Sequence, residues 1–338
     1  MKQTVLKLMR VTGAFAPFRR ANRDKALILT YHRFSQSGTA GTTSANAFAK
    51  QLQYLTTHYR LVNLSTLVEY LSAGSSLPAG IACIAIDDGY RDAYEVAFPI
   101  LNKYSAPATL FVVSEFVDQK TWLWTDKMRF LATRAKPEKL NIEINNRIPQ
   151  LKMDRRSSLL EAADWVNSSL KQMPDEMKDA VIIRLAASLG VELPDVPPDE
   201  YSAITWNQAR EMETAGVEIG SHTLTHPILT RVKDDRLQSE LFDSRSRIET
   251  MLGHKVEVFC YPNGDYDEQI SRAVRAAGYK CAVTVETGLN ALDSDMFKLR
   301  RVHTDNNFTR FIQCTSGFEE IKNRFMYARR GTAAVSAH

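Results

Sequence analysis

Residues 81–90 read IACIAIDDGY: six consecutive apolar residues, then at once two aspartates and a glycine. A run that short and that uniformly apolar predicts a strand buried on both faces, the kind found in parallel sheets, rather than an amphipathic helix. The abrupt change at Asp87 marks the end of that strand. Downstream, a helix is predicted through Tyr94–Tyr104, and ATLFVV (108–113) gives the next strand. Upstream, ALILTYH (26–32) reads as another buried strand. It is followed by a helix with Phe48, Leu52 and Leu55 on one face. RLVNL (60–64) then precedes a helix for which Ser65 is the expected N-cap.

This rhythm lapses from about 120 to 200, where polar, helix-leaning sequence ends in the proline-rich ELPDVPPDE. It resumes with VEIGSH (217–222) and a long helix carrying Leu237, Leu241, Ile248 and Leu252 on one face, stopped by Gly253. VEVFCYP, a helix near 267–277, CAVTV and KLRRVH complete the series. Alternating strands and helices imply parallel strands joined by right-handed crossovers. The fold class is therefore α/β with about seven parallel strands, for which a closed barrel is as natural as an open sheet. The expected organisation is a basic segment over 1–25, the α/β body over 26–310 with a helical insertion at 120–200, and a tail over 311–338.

Composition sets outer limits. With 338 residues, 44% hydrophobic and 24% charged, the chain has material for one large domain or two ordinary ones. The net charge of +4 is mild, and no basic block interleaved with aromatics appears, so no nucleic-acid partner is expected. Cys83, Cys260, Cys281 and Cys314 include no CxxC pair, and three lie in strand-like apolar runs, which favours free thiols in a reducing compartment. In MKQTVLKLMRVTGAFAPFRR the apolar residues are broken by Lys7, Arg10 and Thr12, so neither a signal peptide nor a membrane span is expected. A cytoplasmic location follows as the expectation. The basic amino terminus would be either a frayed surface helix or a weak attachment to the inner membrane surface. Oligomeric state is not legible.

The chemistry lies where the strands end. His32 closes ALILTY, Asp87 and Asp88 close IACIAI, His222 closes VEIGS, and His303 closes KLRRV. In parallel α/β folds the carboxyl ends of strands share one rim, where active sites are built. SHTLTHP spaces His222 and His226 four apart, so one helical turn would set both imidazoles on a face able to ligate one cation. A carboxylate from Asp87-Asp88 would complete a three-ligand site with open positions, as catalytic metals require. The bland alternatives are two solvated or core histidines and a helix-capping Asp-Asp-Gly turn. Of the two adjacent aspartates, one can ligate while the other accepts a proton from attacking water.

Taken together, AIDDGYRDAYEVAFPILNKYSAPATLFVV, EIGSHTLTHP and FCYPNG, in that order, resemble the NodB-homology polysaccharide deacetylase family over roughly residues 26–115 and 200–305. The resemblance implies a deformed (β/α) barrel and a divalent metal, Zn²⁺ foremost, with Co²⁺, Ni²⁺ and Fe²⁺ also suited to the ligand set. It implies Asp87 as general base and Asp88, His222 and His226 as ligands. It also implies an acetylated amino-sugar polysaccharide or oligosaccharide as partner. The third motif departs from the family: Cys260-Tyr261-Pro262-Asn263-Gly264 stands where many members carry Arg-Pro-Pro-Tyr-Gly. Arg301 is then either the substitute that orients the base or a surface arginine. The main-chain N–H of Asn263 can still serve an oxyanion.

For the general acid, His303 occupies the usual late-strand place. His32, in YHRF, instead matches a bacterial exopolysaccharide subgroup whose first strand ends in Tyr-His. Trp122, Trp124 and Asp126 open the insertion, either as a sugar-stacking lip or as its anchor to the barrel; Trp206 reads as packing. His58, His254 and His338 have no expected role. The rival functions are an O-acetyl esterase, a deacylase of a non-sugar amide, and an inactive carbohydrate-binding homologue.

Overall fold

A computed structural model describes residues 2–134 and 166–322. The expected insertion is therefore described only in part, and so is the expected tail. The described residues form ten strands: β1 (Leu27–Tyr31), β2 (Phe34–Ser35), β3 (Thr43–Ser44), β4 (Arg60–Leu61), β5 (Ile81–Ile86), β6 (Ala108–Val112), β7 (Val217–Ser221), β8 (Val258–Cys260), β9 (Cys281–Thr287) and β10 (Leu299–His303). Seven of them, in the order β1-β10-β9-β8-β7-β6-β5, make a parallel sheet that closes through pairing of β1 with β5, Leu27 opposite Ala82 to Tyr31 opposite Ile86. The short β4 pairs with the start of β5 as an extra edge, and β2 pairs with β3 apart from the barrel. The architecture is a closed seven-stranded (β/α) barrel with helices around it.

Strand periodicity sorts the core. Ile28, Cys83, Phe111, Val258, Val283 and Leu299 share one buried cluster with alternate residues of the same strands, the barrel interior. Their neighbours in sequence, such as Leu29, Ile84, Leu110 and Ile219, join the larger cluster shared with the surrounding helices. Gly220 belongs inside, for a Cβ there would fall 2.7 Å from the Phe111 ring and 2.8 Å from a Val258 methyl.

The amino-terminal end of the barrel is covered by the helix Leu64–Ala73, whose Leu64, Leu67, Val68 and Leu71 enter the interior cluster. That helix begins at Leu64, so Ser65 lies in its first turn and is not the N-cap. The first-turn donors are met from the barrel instead. The Leu64 N–H donates to the Thr109 hydroxyl at 3.0 Å, and the Ser65 N–H to the Glu218 carboxylate at 3.2 Å. A side-chain cap is redundant there.

Between β6 and β7 the described part of the insertion includes the helices Trp124–Arg134 and Asp175–Leu189, which share a small core of their own with Met128, Leu170 and Ile182. All four cysteines are free, three of them buried. No helix among the described residues is long and apolar enough to cross a membrane.

Candidate active site

Counting two residues onward from the interior positions reaches the carboxyl-terminal rim: Ala85 leads to Asp87, Gly220 to His222, and Leu299 to Arg301. Period-two alternation thus delivers three polar side chains to one mouth. Asp87, His222 and Arg301 are almost wholly buried there. The chain leaves β5 through two left-handed residues, Asp88 at φ 76° and Gly89 at φ 80°. This reversal gives the adjacent carboxylates different partners. A left-handed aspartate costs on the order of 1 kcal/mol, which the surrounding contacts must outweigh.

Asp87 faces Arg301, whose Nη1 donates to both carboxylate oxygens at 2.8 Å while its Nε donates to the Thr284 carbonyl at 2.6 Å. The guanidinium is therefore no surface group. His32 Nε2 lies 3.4 Å from the second Asp87 oxygen, and the Cys260 thiol donates to the first at 3.6 Å. Burial alone would raise the Asp87 carboxyl, but the charges of Arg301, His32 and His222 outweigh it and hold the group below the ordinary carboxylate range.

Asp88 faces the two histidines: one of its oxygens lies 3.4 Å from His222 Nε2 and 3.4 Å from His226 Nε2. The His222–His226 segment is not the helical turn that the i, i+4 spacing suggests. It is a loop containing two left-handed residues, Thr223 at φ 72° and His226 at φ 64°. The rings are nonetheless brought together, their centroids 4.8 Å apart. The buried carboxylate of Glu240 holds the loop, accepting from the N–H groups of Leu224 and Thr225, both at 2.9 Å. The Thr223 hydroxyl accepts from His226 N–H at 3.0 Å.

The donor set fits a cation. His222 Nδ1 lies 2.7 Å from the Cys260 carbonyl, which can only accept, so Nδ1 carries hydrogen and Nε2 is the free ligand atom. The three candidate ligand atoms lie within 4.8 Å of one another. A spacing of 3.4 Å is long for a charged hydrogen bond but equals the edge of a tetrahedron with bonds of about 2.1 Å, the length typical of zinc–nitrogen and zinc–oxygen ligation. Burial and the charge of His222 push His226 down to about 4, so its imidazole is neutral at neutral pH. At His222 burial opposes protonation, but Cys260, Asp88 and Asp87 outweigh it and raise the pKa.

A cavity of about 360 Å³ opens over these groups, lined also by Arg33, Tyr90, Trp124, Arg129, Lys171 and Asn263. His32 lines it; His303 lines a neighbouring, larger hollow with Glu286 and Arg300, where burial and the nearby Arg301 lower its pKa. Asn263 sits in a left-handed turn at φ 57°, its side chain donating to Asp265 at 2.7 Å. Trp122 packs on Phe130 and Tyr201 and anchors the insertion, whereas Trp124 reaches the cavity. The Trp206 indole donates to Asp118 at 2.8 Å.

Several participants escaped the sequence reading. Cys260 contributes both its carbonyl and its thiol. Glu240 interrupts the buried stripe Leu237–Leu241–Ser244–Ile248, and an acid on an apolar face was the available signal. Tyr90 donates at 2.5 Å to the buried Asp126 beneath the Arg33 guanidinium, and neither tyrosine nor arginine stood out in the sequence.

Fold and site together define a barrel hydrolase with an Asp-His-His centre beside an arginine-paired aspartate. The chain belongs to the polysaccharide deacetylase family, whose sequence profile matches residues 75–282, and it is a deacetylase-type hydrolase. It is 23% identical over 279 residues to YxkH of Bacillus subtilis (strain 168), assigned by name to the polysaccharide deacetylases, a match covering 82% of this chain and 71% of that one. Two solved structures share the fold. Streptococcus pyogenes deacetylase PplD, in complex with acetate, is 20% identical with TM-score 0.57, covering 86% of this chain and 98% of its own. IcaB from Ammonifex degensii is 18% identical with TM-score 0.56, covering 87% and 97%.

Proposed function

We propose that the protein is a metal-dependent deacetylase that removes N-acetyl groups from an amino-sugar polysaccharide or its lipid-linked precursor. One observation carries this reading: the convergence of Asp88, His222 and His226 beside a second, arginine-paired carboxylate, Asp87. Asp88, His222 and His226 would hold a divalent cation, Zn²⁺ by preference, which supplies polarisation of the acetyl carbonyl and a lowered pKa for attacking water.

The chain's own residues do the rest. Asp87, kept anionic and fixed by Arg301, accepts a proton from that water as it attacks. Asn263 offers a main-chain donor to the developing oxyanion. His32, at the cavity and 3.4 Å from Asp87, delivers a proton to the sugar nitrogen as the amide C–N bond breaks. Its position favours it over His303 for this role. Acetate and a free amine result.

Acetate release from N-acetylglucosamine oligomers and from acetylated xylan, each with and without chelator, tests the reading. Release from the amide substrate alone, lost with chelator, is the expected result; release confined to xylan would make the enzyme an esterase. Asp87→Asn should abolish turnover while metal content stays near wild type. An active Asp87→Asn enzyme would remove Asp87 from the role of base.

A further inference from the structure

The first 25 residues lie outside the barrel and its mouth, and they carry an unusual share of the molecule's charge. They hold seven Lys and Arg against one acid, Asp24, a net +6, whereas the whole chain carries +4. Everything after residue 25 is thus net negative.

Two helices occupy this stretch, α1 (Lys2–Val11) and α2 (Ala16–Ala21). Leu6 and Met9 turn α1 toward the core, and the Arg10 guanidinium sits 5.8 Å from the Phe308 ring. The solvent-facing flank of α1 presents Val5, Leu8 and Val11, exposed by 53%, 63% and 71%. Three of the nine large apolar side chains that are exposed among the described residues therefore stand on one ten-residue helix. Immediately after it, Arg19, Arg20, Arg23 and Lys25 line a hollow of about 180 Å³ beside the start of β1. Arg20 and Arg23 are exposed and have no ion-pair partner among the described residues.

Three side chains are too little for a stable protein interface, which needs about 800 Å² per partner. They suffice for a helix lying in a lipid interface, which sinks one apolar face a few ångströms and gains the rest of its affinity from cations over acidic headgroups. We propose that α1 and α2 dock the protein on an anionic phospholipid surface. Val5, Leu8 and Val11 enter the headgroup boundary, and the arginines around the hollow meet lipid phosphates. The proposal is independent of the catalytic reading, since none of these residues belongs to the site.

Co-sedimentation of the full chain with vesicles tests it, comparing phosphatidylcholine alone with a mixture of one part phosphatidylglycerol to two parts phosphatidylcholine. Wild type should bind the mixed vesicles, release as salt rises, and ignore the neutral ones. Arg20→Ala/Arg23→Ala should weaken partitioning about thirty-fold, roughly five-fold for each cation withdrawn. Leu8→Asp should abolish binding, with Leu8→Ser as a milder second variant and thermal melting as the check on folding. Equal binding to neutral vesicles, indifference to salt, or wild-type partitioning by folded variants would overturn the proposal. So would a dimer that Leu8→Asp dissociates without changing vesicle binding.

Discussion

Replacing Arg301 with methionine removes the arginine that faces Asp87 and leaves a carboxylate buried without its counter-charge. With the Nη1 atom 2.8 Å from both carboxylate oxygens, the charge centres lie about 4 Å apart, which at an effective dielectric near 20 is an attraction of about 4 kcal/mol. Breaking such a pair from one side costs about 3–5 kcal/mol, because the remaining ion keeps its desolvation penalty. Asp87→Asn should cost a similar amount, since the buried guanidinium of Arg301 loses its counter-charge and keeps only neutral acceptors, the Thr284 carbonyl and the new amide oxygen. The double variant loses both charges together and should be less destabilised than the sum of the singles by about 2–3 kcal/mol. Urea unfolding followed by the fluorescence of the four tryptophans measures all three variants, with chelator present so that metal affinity does not enter. Additivity within about 0.5 kcal/mol, or a loss below about 1 kcal/mol for Arg301→Met, would refute the argument that this ion pair is a coupled unit.

Other consequences follow from single contacts. His226→Ala removes one of the three proposed ligands and should lower retained zinc, measured after gel filtration, by more than the 10–100-fold that loss of an outer partner costs. Asp126 is pushed up to about 6 by burial, with Tyr90 and Arg129 opposing. Its folded pKa lies above the unfolded value of about 3.9, so its contribution to stability is greatest in acid and falls as pH rises from about 4 through about 6, by about 3 kcal/mol in all. Asp126→Asn, whose amide oxygen can still accept from Tyr90, should erase that slope in urea midpoints taken across this range. Gly220→Ala would overfill the interior between Phe111 and Val258 and should destabilise by about 1–3 kcal/mol without altering metal content.

The barrel was largely legible because buried parallel strands have a plain signature, and IACIAI and ALILTY carry nothing else. Strand-end placement then brought Asp87, Asp88 and His222 together on one rim, since strand period and rim position are properties of sequence spacing. The His222–His226 loop was legible as a pair but not as a conformation. Spacing of four suits a helix, and nothing local announces that Thr223 and His226 adopt left-handed backbone under the grip of Glu240. Arg301 could be read either way until β10 was set in register with β9 and β1, because inward or outward facing depends on pairing. The Cys260 carbonyl that orients His222 is a main-chain atom and leaves no trace in residue type. Ser65 misled for a related reason: the partners of that helix start come from Thr109 and Glu218, over forty residues away.

The covered lower end of the barrel makes the mouth a cul-de-sac. Leu64, Leu67 and Val68 close the far side, so a glycan cannot thread through the protein and only a pendant group can be presented from above. In the deacetylase reading, acetate is freed deeper than the amine from which it was cut, and with the lower end covered it leaves toward the mouth where the polymer lies. A sugar still bound there would hinder the smaller product from leaving. Traffic at a single doorway, rather than bond breaking, would set the pace on long chains, and added acetate would slow the enzyme most when the polymer is bound.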